Sequence, residues 1–260
     1  MAALPLSHQR LGEGPPLLVL HGLFGCGTNW RSIARALADC RTVHLLDARN
    51  HGASPHAAHM DYAAMAGDVL AYMDREGLAR ADLIGHSMGG KTAMRLALYA
   101  PERVARLMVV DIAPALSGSD HLPLIEAMLA MPVHRYTRRA EADAALARTA
   151  STAALRAFLL QNLVAGDEGM RWRINLAAIH ACMPALLGFD AAPAARFDGQ
   201  SLFVRGELSG YLREEHLPAI QAHFPAAGTR TIPGAGHWVH AEQPQRFIAA
   251  AREYFGCATR

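Results

Sequence analysis

The chain has 260 residues, 52% hydrophobic and 18% charged, with a formal net charge of +2. That length carries one large domain with a sizeable core, and the composition lies far from the disordered class. No Lys/Arg block exceeds a pair such as Arg138-Arg139, which excludes the basic stripe of a nucleic-acid binder, and no apolar run approaches the length of a membrane span.

The opening residues, Met1-Ala2-Ala3-Leu4-Pro5, give no basic lead-in to an apolar segment. Cys26, Cys40, Cys182 and Cys257 are scattered without C-x-x-C spacing. Together these features lead us to expect free thiols and a cytoplasmic protein. The first expected strand is Leu17–His21, followed by the loop His21-Gly22-Leu23-Phe24-Gly25 and a helix over Asn29–Asp39. A strand at Thr42–Asp47 runs into Asn50-His51-Gly52-Ala53-Ser54, which reads as a loop brace, and a helix follows over Tyr62–Glu76. Next come a strand at Asp82–Gly85, a helix over Gly90–Tyr99 and a strand at Leu107–Asp111.

The alternation then breaks. Between residues 115 and 198 only helical patterns are expected: Leu122–Met131, Ala140–Thr149, Thr152–Val164 and Arg171–Leu187, punctuated by Pro123, Pro132 and Pro184. It resumes with a strand at Ser201–Arg205, a helix over Glu214–His223, a strand at Thr229–Ile232 and a helix over Pro244–Tyr254. Alternating strands and helices imply an α/β fold: a mostly parallel central sheet with helices on both faces. Residues 1–114 and 199–260 are expected to form its core, and 115–198 a helical cap inserted above the strand ends.

The chemistry is written between the third expected strand and its helix, in Gly85-His86-Ser87-Met88-Gly89. A G-x-S-x-G pentapeptide is weak alone, but between strand and helix it describes a nucleophile elbow with Ser87 at its tip. A serine hydroxyl attacks only when a base takes its proton and a third group orients that base. Of fourteen histidines, His237 lies in a small-residue loop after the last expected strand, Gly234-Ala235-Gly236-His237-Trp238. Two acids compete to orient it: Asp111, ending the strand before the insertion, and Glu207, after the strand that follows it. Asp111 is favoured, because a strand-end carboxylate there can reach the imidazole; an aspartate would more usually stand where this chain has Ser209. The oxyanion requires two backbone N–H groups, expected from Met88 and Leu23. His51, His56 and His59 lack a partner at metal-ligand spacing, so no metal is expected.

These residues resemble the α/β-hydrolase superfamily, in particular the branch of small esterases of the YbfF type and the animal alpha/beta-hydrolase domain-containing protein 11. The likeness is carried by His21 to Gly25, Asp47-Ala48-Arg49-Asn50-His51-Gly52, Gly85 to Lys91, Val110-Asp111-Ile112-Ala113-Pro114, Trp172-Arg173-Ile174-Asn175-Leu176 and Gly236-His237-Trp238-Val239-His240-Ala241. It spans nearly the whole chain. The resemblance implies an α/β-hydrolase fold, Asp111 as the acid, no cofactor, and hydrolysis of small carboxylic esters or thioesters through an acyl-enzyme. Leu124, Met128, Met131, Phe158, Leu159 and Trp172 of the insertion are candidates for an acyl-binding wall. Acyl transfer, perhydrolysis or C–C bond hydrolysis could run on the same triad. A non-catalytic binding protein is the alternative from another class.

Overall fold

A computed structural model of the chain describes residues 2–118, 121–167 and 169–258. Seven strands form one sheet: β1 (His8–Leu11), β2 (Pro16–Leu20), β3 (Thr42–Leu46), β4 (Ala81–His86), β5 (Val104–Val110), β8 (Ser201–Gly206) and β9 (Ala227–Ile232). Their order across the sheet is β1-β3-β2-β4-β5-β8-β9. Every pairing is parallel except β1 with β3.

The central strands are mostly apolar because both faces are covered, and the period of two divides their apolar side chains between two cores. On one face Leu18, Leu83, Leu107, Val109 and Phe203 pack with Val69 and Met73 of α2 (Tyr62–Arg75), Met94 of α3 (Met88–Tyr99) and Ile220 of α8 (Leu217–His223). On the other, Leu17, Val19, Ile84, Met108, Val110 and Val204 pack with Ile33 and Leu37 of α1 (Arg31–Leu37) and Phe247 and Phe255 of α10 (Pro244–Phe255). This sandwich aligns the carboxyl ends of β2, β4, β5 and β9 along one rim.

The segment joining β5 to β8 holds α4 (Leu122–Ala130), α5 (Arg139–Leu146), α6 (Ala153–Leu160) and α7 (Leu176–Leu187). It also holds an antiparallel hairpin of β6 (Leu163–Gly166) and β7 (Gly169–Trp172), so the expectation of helices alone is corrected. Leu163 and Arg171 belong to strands rather than to the helices expected there. Ile125, Met128, Leu146, Leu159, Ile179 and Met183 give this segment a core that continues through Leu23, Met65 and Met88 of the main body. Of the expected core and insertion, Met1, Ser119, Asp120, Glu168, Thr259 and Arg260 lie outside the described residues.

The expectation of free thiols is also corrected in part. Cys40, just past α1, and Cys257, just past α10, form a disulfide across 217 residues of sequence, while Cys26 and Cys182 are free. Helices α1 and α10 share one face of the sheet, which brings their ends together. No helix among the described residues is long and apolar enough to cross a membrane.

Candidate active site

Ser87 stands between the last residue of β4 and the first of α3, with φ 51° and ψ −117°. Such a conformation costs on the order of 1–3 kcal/mol and persists only where its surroundings enforce it. Here the backbone is held by Ser87 N–H to Val110 O and Lys91 N–H to Ser87 O, both at 3.0 Å. Close packing at the turn explains its glycines. A Cβ on Gly85 would stand 2.3 Å from Gly89 O, and one on Gly89 would stand 2.2 Å from Leu20 O.

Asp111 occupies the equivalent place one strand over, again with a left-handed φ of 54° and no exposed surface. Its N–H donates to Val204 O at 2.8 Å, so the β5–β8 ladder itself fixes the residue. Oδ1 accepts from Gly206 N–H at 3.0 Å. Oδ2 accepts from His237 Nδ1 at 2.8 Å and from the Ser209 hydroxyl in a short bond. With Nδ1 donating, Nε2 of a neutral His237 is left with the free lone pair. The Tyr211 ring lies over the imidazole, centroids 4.0 Å apart and planes 24° from parallel. Glu207, the competing acid, instead accepts from Gly234 N–H at 2.8 Å. Ser87 and His237 line the same cavity. No hydrogen bond joins their side chains among the described residues; such contacts commonly tighten only when substrate is present.

The loop after β2 is built on neutral histidines. His21 pairs Nδ1 with Gly22 O at 2.8 Å and accepts Ala48 N–H on Nε2 at 3.0 Å. His51 pairs Nδ1 with Arg49 O at 3.0 Å and accepts Phe24 N–H on Nε2 at 3.2 Å. Burial lowers both pKa values, that of His51 to about 3, so each ring keeps one donor and one acceptor. Held this way, Leu23 comes beside Ser87 and Met88, and the three share the wall of a small recess. Neither the Leu23 nor the Met88 N–H donates to a protein acceptor among the described residues.

The cavity that Ser87 and His237 share measures about 470 Å³. Ser87, His237, Leu23, Phe24 and Trp238 line it from the main body, and Pro123, Leu124, Thr149, Leu155 and Phe158 from the insertion. Of the six apolar candidates for its wall, Leu124 and Phe158 are there. Met128 and Leu159 are wholly buried in the insertion's own core, Met131 packs partly buried against it, and Trp172 donates Nε1–H to Met128 O at 3.0 Å. No Lys, Arg, Asp or Glu lines this cavity among the described residues.

Sequence reasoning treated Ser209 only as a missing aspartate and did not single out Tyr211, His86 or Glu242. The spacing of Ser209 from its strand was the one available signal. Lys91, near the start of α3, reaches beyond the elbow. Its ammonium crosses to the end of α7 and donates to Leu187 O at 2.7 Å and Gly188 O at 2.9 Å. His56 contacts Arg173 O and His59 pairs with Asp61, so neither converges with His51.

A strained serine at a strand–helix elbow, with an Asp–His pair at the same cavity, is an arrangement of the kind serine hydrolases use. Residues 15–244 match the family described as alpha/beta hydrolase fold, and the chain belongs to that family. It is 44% identical over 245 residues to the sn-1-specific diacylglycerol lipase ABHD11 of Xenopus tropicalis, covering 90% of this chain and 76% of the relative. It is 35% identical to esterase YbfF of Escherichia coli strain K12, covering 95% of each chain. The solved structure of a marine microorganism esterase superposes with a TM-score of 0.95 at 39% identity, covering 97% of this chain and all of the other.

Proposed function

We propose that Ser87 is the nucleophile, His237 the base and Asp111 its orienting acid, with Leu23 and Met88 N–H groups as the oxyanion hole. The chain is a carboxylesterase-type serine hydrolase. Ser87 Oγ attacks the acyl carbonyl while His237 Nε2 takes its proton; the oxyanion settles on the two amides. His237 returns the proton to the departing alkoxide, and a water activated by the same nitrogen hydrolyses the acyl-enzyme. The observation that carries this reading is the Asp111–His237 hydrogen bond beside the strained serine.

The substrates are neutral esters of short to medium acyl chains, because among the described residues the cavity offers apolar wall and polar groups but no Lys, Arg, Asp or Glu to pair with a charged acyl tail. The same steps cleave a thioester. The insertion, residues 115–198, acts as a cap supplying part of the acyl wall. A cytoplasmic location goes with this reading and requires the Cys40–Cys257 bond to withstand the thiol pool, which thiol trapping in cell extracts would read directly. The decisive experiment is Ser87→Ala: hydrolysis of p-nitrophenyl butyrate and labelling by a fluorophosphonate should both vanish while the circular dichroism spectrum is unchanged. Retained turnover would end the proposal. A competing alcohol in the assay, with product analysis, separates hydrolysis from acyl transfer.

A further inference from the structure

His237 lies in a loop, so something beyond its bond to Asp111 must hold its main chain. Two side chains from different elements grip that main chain. From the surface, Glu242 at the end of the short helix α9 (Val239–Glu242) accepts Gly236 N–H on Oε2 at 2.6 Å and Trp238 N–H on Oε1 at 3.1 Å. One carboxylate thus spans the amides on both flanks of His237. From the buried side, the His86 Nε2–H donates to the carbonyl oxygen of His237 itself at 2.9 Å. A carbonyl only accepts, so this contact sets the His86 tautomer. His86 is also the residue before Ser87, so one dipeptide carries both the hydroxyl and a hold on the loop that must meet it.

We propose that His86 and Glu242 are positioning residues for His237, setting where its imidazole stands relative to the Ser87 hydroxyl. The chemistry suits the task. His86 and His237 have ring centroids 4.8 Å apart, and a cation at His86 would oppose the imidazolium that His237 becomes during attack. Burial first, then the neighbouring His237 and His240, push the His86 pKa well below its ordinary value, so it grips as a neutral donor. Glu242 is exposed and does not line the cavity that holds Ser87 and His237, so its charge reaches the loop through two amides rather than through the substrate. A displacement of the base of about 1 Å is enough to cost roughly 100-fold in turnover.

This inference rests on His237 being the base, and the experiment separates the two. Wild type and His237→Ala are first compared for fluorophosphonate labelling; loss of labelling in His237→Ala keeps the base assignment, and retained labelling removes it. Glu242→Ala is then expected to lower kcat for p-nitrophenyl butyrate by roughly 10- to 100-fold, with KM and Tm close to wild type. Glu242→Gln, which keeps one acceptor oxygen, should recover part of the loss. At the buried position, His86→Gln retains an N–H donor and should exceed His86→Leu in kcat and in rate of phosphonylation. If Glu242→Ala keeps kcat within about twofold, or if the loss falls on KM or follows Tm, Glu242 has no positioning role. Equal kcat in the Gln and Leu variants of His86 would remove that half of the proposal.

Discussion

Asp111 is held in a left-handed conformation with its carboxylate wholly enclosed, and each of its acceptor oxygens already has a donor. Removing its charge leaves His237 Nδ1 without a matched partner and favours the wrong tautomer. Asp111→Asn should therefore cut kcat by orders of magnitude, about 10⁴ where such a change has its full effect, and Glu207→Gln should cost little. Steady-state kinetics on the two variants ranks them, and the reverse order would return the acid to Glu207. The elbow serine and loop histidine were legible because G-x-S-x-G and a glycine-flanked histidine are local patterns. Asp111 was less so, since its role depends on which strand lies beside it. Tyr211 was not legible at all. A tyrosine five residues past a strand end signals nothing until the chain folds it over the imidazole.

Among the elements, α7 shows how the insertion is tied down. Three successive carbonyls at its end are taken by the main body: Leu186 O by the Tyr62 hydroxyl at 2.5 Å, and Leu187 O and Gly188 O by Lys91. Ser117 N–H, at the entrance to the insertion, donates to the same Leu187 O at 2.9 Å. Lys91 thus sits at the neck where the chain leaves and returns. Burial pushes its pKa down to about 7. Both folded and unfolded chains carry this proton below that pH. From about pH 7 upward the folded chain releases it, while the unfolded chain keeps its own up to the ordinary lysine range, so stability contributed at this site rises with pH across that window. Lys91→Met should flatten that slope, as read from denaturant midpoints between pH 6 and 9.5. The buried strands were legible as apolar runs between turn residues. Strand β1 was not, because His8-Gln9-Arg10-Leu11 pairs at the sheet edge, half exposed and mostly polar. Nor was the β6–β7 hairpin, whose four-residue strands are too short to display a period of two.

At the scale of the whole molecule, the Cys40–Cys257 bond closes nearly the entire chain, and no spacing rule connects cysteines 217 residues apart. Loop-closure entropy assigns such a link about 5 kcal/mol at most. Cys257→Ser should lower the thermal midpoint while leaving kcat near wild type, since both cysteines lie away from the residues lining the cavity. A matched melt with and without reductant checks the same point.

Strands β5 and β8 are direct neighbours, paired from Leu107 with Ser201 to Val110 with Val204, although the whole insertion separates them in the chain. Register across that junction is therefore indifferent to how many residues intervene. Under its proposed role as a cap, exchanging the intervening stretch as a cassette would retune which acyl groups are admitted while the β5–β8 ladder goes on holding Asp111, provided the replacement still packs on Leu23, Met65 and Met88.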